Sequence, residues 1–230
     1  MKHPVLSLLL LLVVACGGTE RTRRSFPVEV TAKSAALVTD SGWAVTLTKA
    51  TLHLEALRFF EGKVALARRA PWWRALVVSD AWAHPGHYVP GEALGELVAP
   101  LDVDLLATAP LSWGTASAVT GDYGSAQVTL GGAGLVLEGV ATKDTARVEF
   151  STAFLPPAAL EGVRFEQVMT TAAGTVQVLV DLQAVLSRVD FAAVGSGAKP
   201  LDPSSPAYNG LGRGVEDTTA WVLTWKESSR

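Results

Sequence analysis

The sequence predicts a mainly β protein, an antiparallel β-sandwich or barrel-like domain with one or two short helices. Two observations support this class. Short runs of aliphatic and β-branched residues recur along the chain, and Gly, Pro, Asn and Asp turn signals separate them at regular intervals. Only one segment shows a clear helical period. We assign residues 26–230 to this single β domain.

The longest β-favouring run extends from Trp43 to Phe60, after a turn at Asp40-Ser41-Gly42. Its apolar residues change phase near Lys49. Because a slip of one residue exchanges the two faces of a strand, this change predicts either a β-bulge near Lys49 or two strands that meet there. His53 and Glu55 are two residues apart, so they are predicted to share one face.

The middle of the chain reads as strands separated by glycine-rich turns. Strands are predicted at 126–130 and 135–140, on either side of Gly131-Gly132-Ala133-Gly134, and at 146–154. Residues 163–169 and 175–180 are expected to pair with each other around Ala173-Gly174. Short helical pieces are expected at 92–98 and after Pro156-Pro157.

The C-terminal part holds the clearest helix signal. Leu182, Val185, Leu186 and Val189 follow the i, i+3, i+4, i+7 spacing of an amphipathic helix, with Asp181 as its N-cap. Residues 195–214 are rich in Gly, Pro and Ser and are expected to form a long loop. Residues 218–225 are predicted to close the domain as a strand.

The first residues carry a targeting signal. A basic start at Lys2 precedes an apolar run, residues 5–14, that is too short to span a bilayer and matches a signal-peptide core. The run ends in Val13-Val14-Ala15-Cys16, which resembles the lipobox of bacterial lipoproteins. The resemblance implies that residues 1–15 are a signal peptide and that Cys16 becomes the acylated N-terminus, carrying fatty chains such as palmitate. The alternative is an ordinary secretory signal with an incidental cysteine.

Residues 16–25 are predicted to be the lipidated cysteine and a flexible tether. Gly17 follows the cysteine without an Asp, and by the sorting pattern of such lipoproteins this implies an outer-membrane location, facing the periplasm or the outside. Cys16 is the only cysteine, so no internal disulfide is available. Loss of Lys2 leaves 18 basic against 22 acidic residues, and this mild negative charge argues against nucleic acid as a partner.

The motif His84-Pro85-Gly86-His87 is the sharpest candidate site. Pro-Gly favours a type II turn, which brings its flanking residues together, and two imidazoles suit zinc or copper. His53 is the expected third ligand. Further candidate ligands are Asp80, Glu92 and Glu96. The alternative is a solvated turn whose histidines bond to the backbone.

Aromatic residues flank this loop and offer a second interpretation, in which exposed rings stack on a sugar or a peptide. The candidates are Trp72, Trp73, Trp82 and Tyr88. Core packing beneath the loop is the simpler alternative. No nucleophile elbow, phosphate loop or zinc-protease motif is present, so we do not expect an enzyme. Two functions remain: a metal-binding lipoprotein accessory to an outer-membrane transporter, or a module that binds another envelope protein or a ligand.

Overall fold

The computed structural model describes residues 21–34, 36–63, 90–192, 194 and 200–228. Within them, ten strands form one curled, mixed sheet, and the predicted mainly β class is confirmed. The strands are β1 Arg23–Lys33, β2 Leu37–Val38, β3 Ala44–Phe60, β4 Ala93–Asp104, β5 Leu111–Val119, β6 Gly121–Lys143, β7 Ala146–Phe154, β8 Leu160–Met169, β9 Gly174–Asp181 and β10 Trp221–Glu227. The helices are α1 Leu182–Leu186 and α2 Pro206–Val215, and a 3₁₀ turn covers Thr218–Ala220.

The strand order is β10-β9-β1-β5-β4-β3-β6-β7, with β2 added to β3 and β8 added to β6. Neighbouring strands are antiparallel except β1 and β9, which are parallel. The sheet curls into a half-barrel. We call the end where β1 begins the Arg23 end, because β3, β5, β8 and β10 also finish there. The opposite end is the Lys33 end.

Residues 44–60 form one strand, β3, and the change of phase near Lys49 is a β-bulge within it. Of the two predicted alternatives, the bulge is therefore confirmed. The pairing of β3 with β6 shifts register between Leu47 and Lys49. The bulge moves Leu52 and Leu54 to the buried face, where both are almost fully covered, and leaves His53 and Glu55 together on the outer face.

The glycine segment at residues 131–134 is not the turn that the sequence predicts, because β6 runs through it as a single strand. Leu52 pairs with Leu135, but Leu54 pairs with Leu130, so His53 faces four residues of β6. Gly132 and Gly134 have positive φ angles of 53° and 69°, which glycine adopts without steric cost. The turn signal is therefore used for a wide bulge inside the strand.

Two predicted helical pieces are wrong. Residues 93–98 belong to β4, and no helix follows Pro156-Pro157. Leu94 and Leu97 are both buried at a helix-like spacing because β4 carries an extra residue: Phe59 pairs with Gly95 but Phe60 pairs with Ala93. A strand bulge thus reproduces part of a helical period.

The predicted pairing of residues 163–169 with 175–180 is also wrong. β8 pairs with β6, whereas β9 lies between β1 and β10. A short connection favours a hairpin locally, but in the fold β8 takes its partner from β6 and β9 takes its partners from β1 and β10.

The amphipathic helix predicted over 181–189 is present as the shorter α1, which ends at Leu186. Asp181 caps it by accepting hydrogen bonds from the backbone of Gln183 and Ala184. The long loop predicted at 195–214 is partly wrong, since α2 begins at Pro206 behind the cap Ser205. Its glycines allow close packing: a Cβ at Gly214 would lie 1.9 Å from the carbonyl oxygen of Val185. Neither helix, nor any other in the described ranges, is long and apolar enough to cross a membrane.

Aromatic rings fill the interior near the Arg23 end. Phe59 packs against Phe26, Tyr123 and Phe165, with ring centroids 5.4–5.9 Å apart. All four side chains are at most 2% exposed. The Tyr123 hydroxyl donates a hydrogen bond of 2.5 Å to the carbonyl oxygen of Val119, which satisfies its only polar atom. This cluster makes the half-barrel a rigid support.

Candidate functional site

Three of the predicted site residues lie in the described part of the chain: His53, Glu92 and Glu96. The remaining ones fall outside the described residues. These are Cys16, Trp72, Trp73, Asp80, Trp82, His84, His87 and Tyr88.

His53 lies on the outer wall of the half-barrel, and its cross-strand partner in β4 is Asp102. Its Nδ1 atom is 2.5 Å from Oδ1 of Asp102, and because an ionised carboxylate only accepts, the ring nitrogen donates. The His53 side chain is 25% exposed and the Asp102 side chain 73%. Asp102 therefore fixes the orientation of the imidazole through Nδ1. The other ring nitrogen, Nε2, takes no part in this contact.

A shallow depression of about 450 Å³ surrounds this pair, and the glycine bulge of β6 forms one side of it. A Cβ atom at Gly132 would lie 3.4 Å from the His53 ring, and one at Gly131 would lie 3.2 Å from the Glu55 carboxylate. Glycine at these two positions thus leaves room for the imidazole and the carboxylate. Sequence reasoning noted the glycines as a turn signal and did not connect them with His53.

Glu96 and Glu92 lie away from the depression around His53. Arg58 of β3 and Glu96 of β4 are cross-strand partners, and Nε of Arg58 lies 3.4 Å from Oε2 of Glu96 in an ion pair. Arg58 is five residues beyond His53, about 17 Å along the strand at 3.3 Å per residue. Arg21 holds Glu92 at 2.6 Å, and this hydrogen bond raises the pKa of the Arg21 guanidinium above its usual value.

The structure therefore does not bring His53, Glu92 and Glu96 together. In residues 21–34, 36–63, 90–192, 194 and 200–228, no three or more His, Cys, Asp or Glu side chains form a group able to hold a metal ion. His53 and Asp102 form a histidine–carboxylate pair of the kind that orients metal ligands, and further ligands would have to come from outside the described residues.

The connection between β3 and β4 is closed at its base. The amide of Glu61 donates to the carbonyl of Glu92 at 3.0 Å, and that of Gly62 donates to the carbonyl of Pro90 at 2.7 Å. The Ser125 hydroxyl donates to the carbonyl of Gly62 at 2.6 Å. We call these contacts the neck. The two ends of the connection, at Gly62 and Pro90, thus meet at the Arg23 end.

Arg21 also belongs to the neck, and it was not singled out from the sequence. Besides Glu92 it contacts Glu61 at 3.7 Å, so one guanidinium bridges both sides of the neck. Thr22 exchanges backbone and side-chain hydrogen bonds with Thr120, at the end of β5. Arg21 and Thr22, just before β1, therefore lie at the Arg23 end, next to the neck.

The chain was compared with protein-family models, curated proteins and solved structures, and no match was found in any of the three.

Proposed function

We propose that this protein is a lipid-anchored binding module of the outer membrane, without catalytic activity, and that its ligand-binding residues lie in the connection between β3 and β4. The observation that carries the proposal is the neck. Adjacent antiparallel strands are usually joined by about two to five residues, whereas residues 61–92 join β3 to β4. Connections of this length in compact domains are commonly functional.

The residue types in this connection support a recognition role. Trp72, Trp73, Trp82 and Tyr88 offer large aromatic faces that suit a sugar or a peptide of the cell envelope, or a surface of an outer-membrane transporter. The half-barrel, filled by its own aromatic rings, carries both ends of this connection. Arg21 and Ser125 hold the neck closed.

Metal binding by His84 and His87 is the second candidate, with zinc or copper as the ion. Pro90 is fixed at the neck and lies three residues after His87, so the reach of His87 is about 11 Å at most. His53 lies nine residues before Gly62, about 30 Å along β3. We therefore propose that His84 and His87 take a further ligand near the neck, where Glu92 lies, rather than His53.

The anchor is tested by mass spectrometry of the N-terminal peptide from the membrane-extracted protein. The proposal expects Cys16 as the first residue, carrying fatty acyl chains. A peptide that retains residues 1–15, or an unmodified Cys16, would contradict the anchor. This measurement avoids Cys16→Ala, which also alters the processing site.

The binding role is tested by photo-crosslinking in cells from a reactive amino acid placed at Trp73 or Trp82. A matched control carries it at Thr108, an exposed residue of the β4–β5 turn at the Lys33 end. We expect a discrete crosslinked species from the first two positions and none from Thr108. Equal labelling at all three positions would show that the connection has no special role.

A further inference from the structure

The start of the described chain is attached to one end of the half-barrel. Arg21 bridges Glu61 and Glu92 at the neck, and Thr22 is bonded to Thr120 at the end of β5. The neighbouring Arg24 lies over the Trp225 ring, 5.6 Å from its centroid, and donates to the carbonyl of Thr170 after β8. Successive residues thus hold the chain to β5, to the neck and to the β8–β9 connection, all at the Arg23 end.

Only a short length of chain separates these contacts from Cys16. Five peptide steps lead from Cys16 to Arg21, which span about 17 Å when fully extended. Along β9, from Gly174 to Asp181, the two ends of the half-barrel are about 23 Å apart at 3.3 Å per residue. The segment from Cys16 to Arg21 is therefore shorter, even when fully extended, than the distance between the two ends of the half-barrel.

We infer that the Arg23 end is a membrane-facing surface, which rests against the phospholipid headgroups while the Lys33 end points away from the bilayer. The inference depends on the acylation of Cys16 in the proposed function. It also places the neck, and with it the entry and exit of residues 64–89, at the bilayer surface.

Charge agrees with a zwitterionic headgroup layer as the occupant. The basic residues Arg21, Arg23, Arg24, Lys63 and Lys226 at the Arg23 end are accompanied by Glu61, Glu92, Asp122 and Glu227. Five basic against four acidic residues leave this end close to neutral, so charge alone does not set the orientation. The orientation is set by the short segment from Cys16 to Arg21 and by the attachment of Arg21 to the neck.

The experiment measures the distance of each end from the bilayer. The acylated mature protein is reconstituted into zwitterionic phosphatidylethanolamine and phosphatidylcholine vesicles that contain an acceptor dye on the headgroups. A donor dye is attached at Thr171→Cys, in the β8–β9 turn of the Arg23 end, or at Thr108→Cys, in the turn at the Lys33 end. Both residues are exposed, and acylation leaves no other free thiol.

We expect clearly stronger energy transfer from position 171 than from position 108. A long Gly-Ser insertion between Cys16 and Arg21 should remove the difference. Equal transfer from both positions, stronger transfer from position 108, or a difference that survives the insertion would overturn the orientation. The N-terminal mass measurement reports the anchor separately, so failure of the anchor and failure of the orientation are distinguishable.

Discussion

His53 and Asp102 are directly opposite each other on β3 and β4, and their side chains meet at 2.5 Å on the outer wall of the half-barrel. This pair lies far along the strand from the neck, where residues 64–89 enter. From this distance to the neck we propose that His53 does not share an ion with His84 and His87, which lie outside the described residues.

The first prediction concerns metal binding. In calorimetric titrations with Zn²⁺ and Cu²⁺, His53→Ala should bind as the parent does, whereas the double variant His84→Ala/His87→Ala should lose binding. The reason is the limited reach of His87 from Pro90, which the neck fixes. If His53→Ala weakens binding as much as the double variant, the three histidines share one ion. A parent that binds neither ion would eliminate the metal candidate.

The second prediction concerns alkaline pH. Burial raises the pKa of Tyr123 from 10.0 to about 12. Because the folded-state pKa lies above the unfolded one, the contribution of Tyr123 to stability is complete below about pH 10 and is lost as the pH rises towards 12. The free energy of unfolding from urea titrations should fall across this window.

Tyr123→Phe is the matched variant. It should cost about 1 kcal/mol at pH 7, since the carbonyl of Val119 loses its donor. It should also reduce the fall in the free energy of unfolding as the pH rises from about 10 to 12. An unchanged decline in this variant would assign the effect to other groups.

The third prediction concerns the aromatic cluster. Phe59 is fully buried and contacts three other rings, so Phe59→Ala should lower the free energy of unfolding by about 3–5 kcal/mol. The control is Val98→Ala, since Val98 is 61% exposed and its loss should change stability by no more than about 0.5 kcal/mol. Similar losses for both variants would argue against a packed interior.

The fourth prediction concerns the bulge of β6. Gly134 has a φ of 69°, and a Cβ there would lie 2.1 Å from the carbonyl oxygen of Phe154. Gly134→Ala should therefore cost at least about 2 kcal/mol in denaturant titrations. Its exposed neighbour provides the control, because Ala133→Ser adds only a hydroxyl at a surface position. A tolerated Gly134→Ala would mean that residues 131–134 adopt another backbone path.

Several local features follow from the sequence alone because their causes lie within a few residues. The phase change near Lys49 predicts either a bulge or a junction of two strands, since side chains alternate strictly along a strand, and the bulge is what the structure has. Asp181 caps α1 because its carboxylate reaches the amides two and three residues ahead. The mainly β class follows from the same short-range patterns.

Strand partners and site neighbours were decided by the tertiary structure. The connection between β8 and β9 resembles a hairpin turn, yet each strand pairs with strands far along the chain, β8 with β6 and β9 with β1. Likewise, Gly131 to Gly134 carries a turn signal that the fold uses as a bulge beside His53.

The sequence by itself determined the β periodicity, the position of α1 and the lipobox resemblance at Cys16. Only the tertiary structure decided that Asp102 lies opposite His53 and that Arg21 joins the start of the domain to the neck. The physical reason is the sequence separation over which each interaction acts. Periodicity and capping act over one or two turns of chain, whereas these contacts join residues about 50 and 70 positions apart, and register and sheet curvature set them.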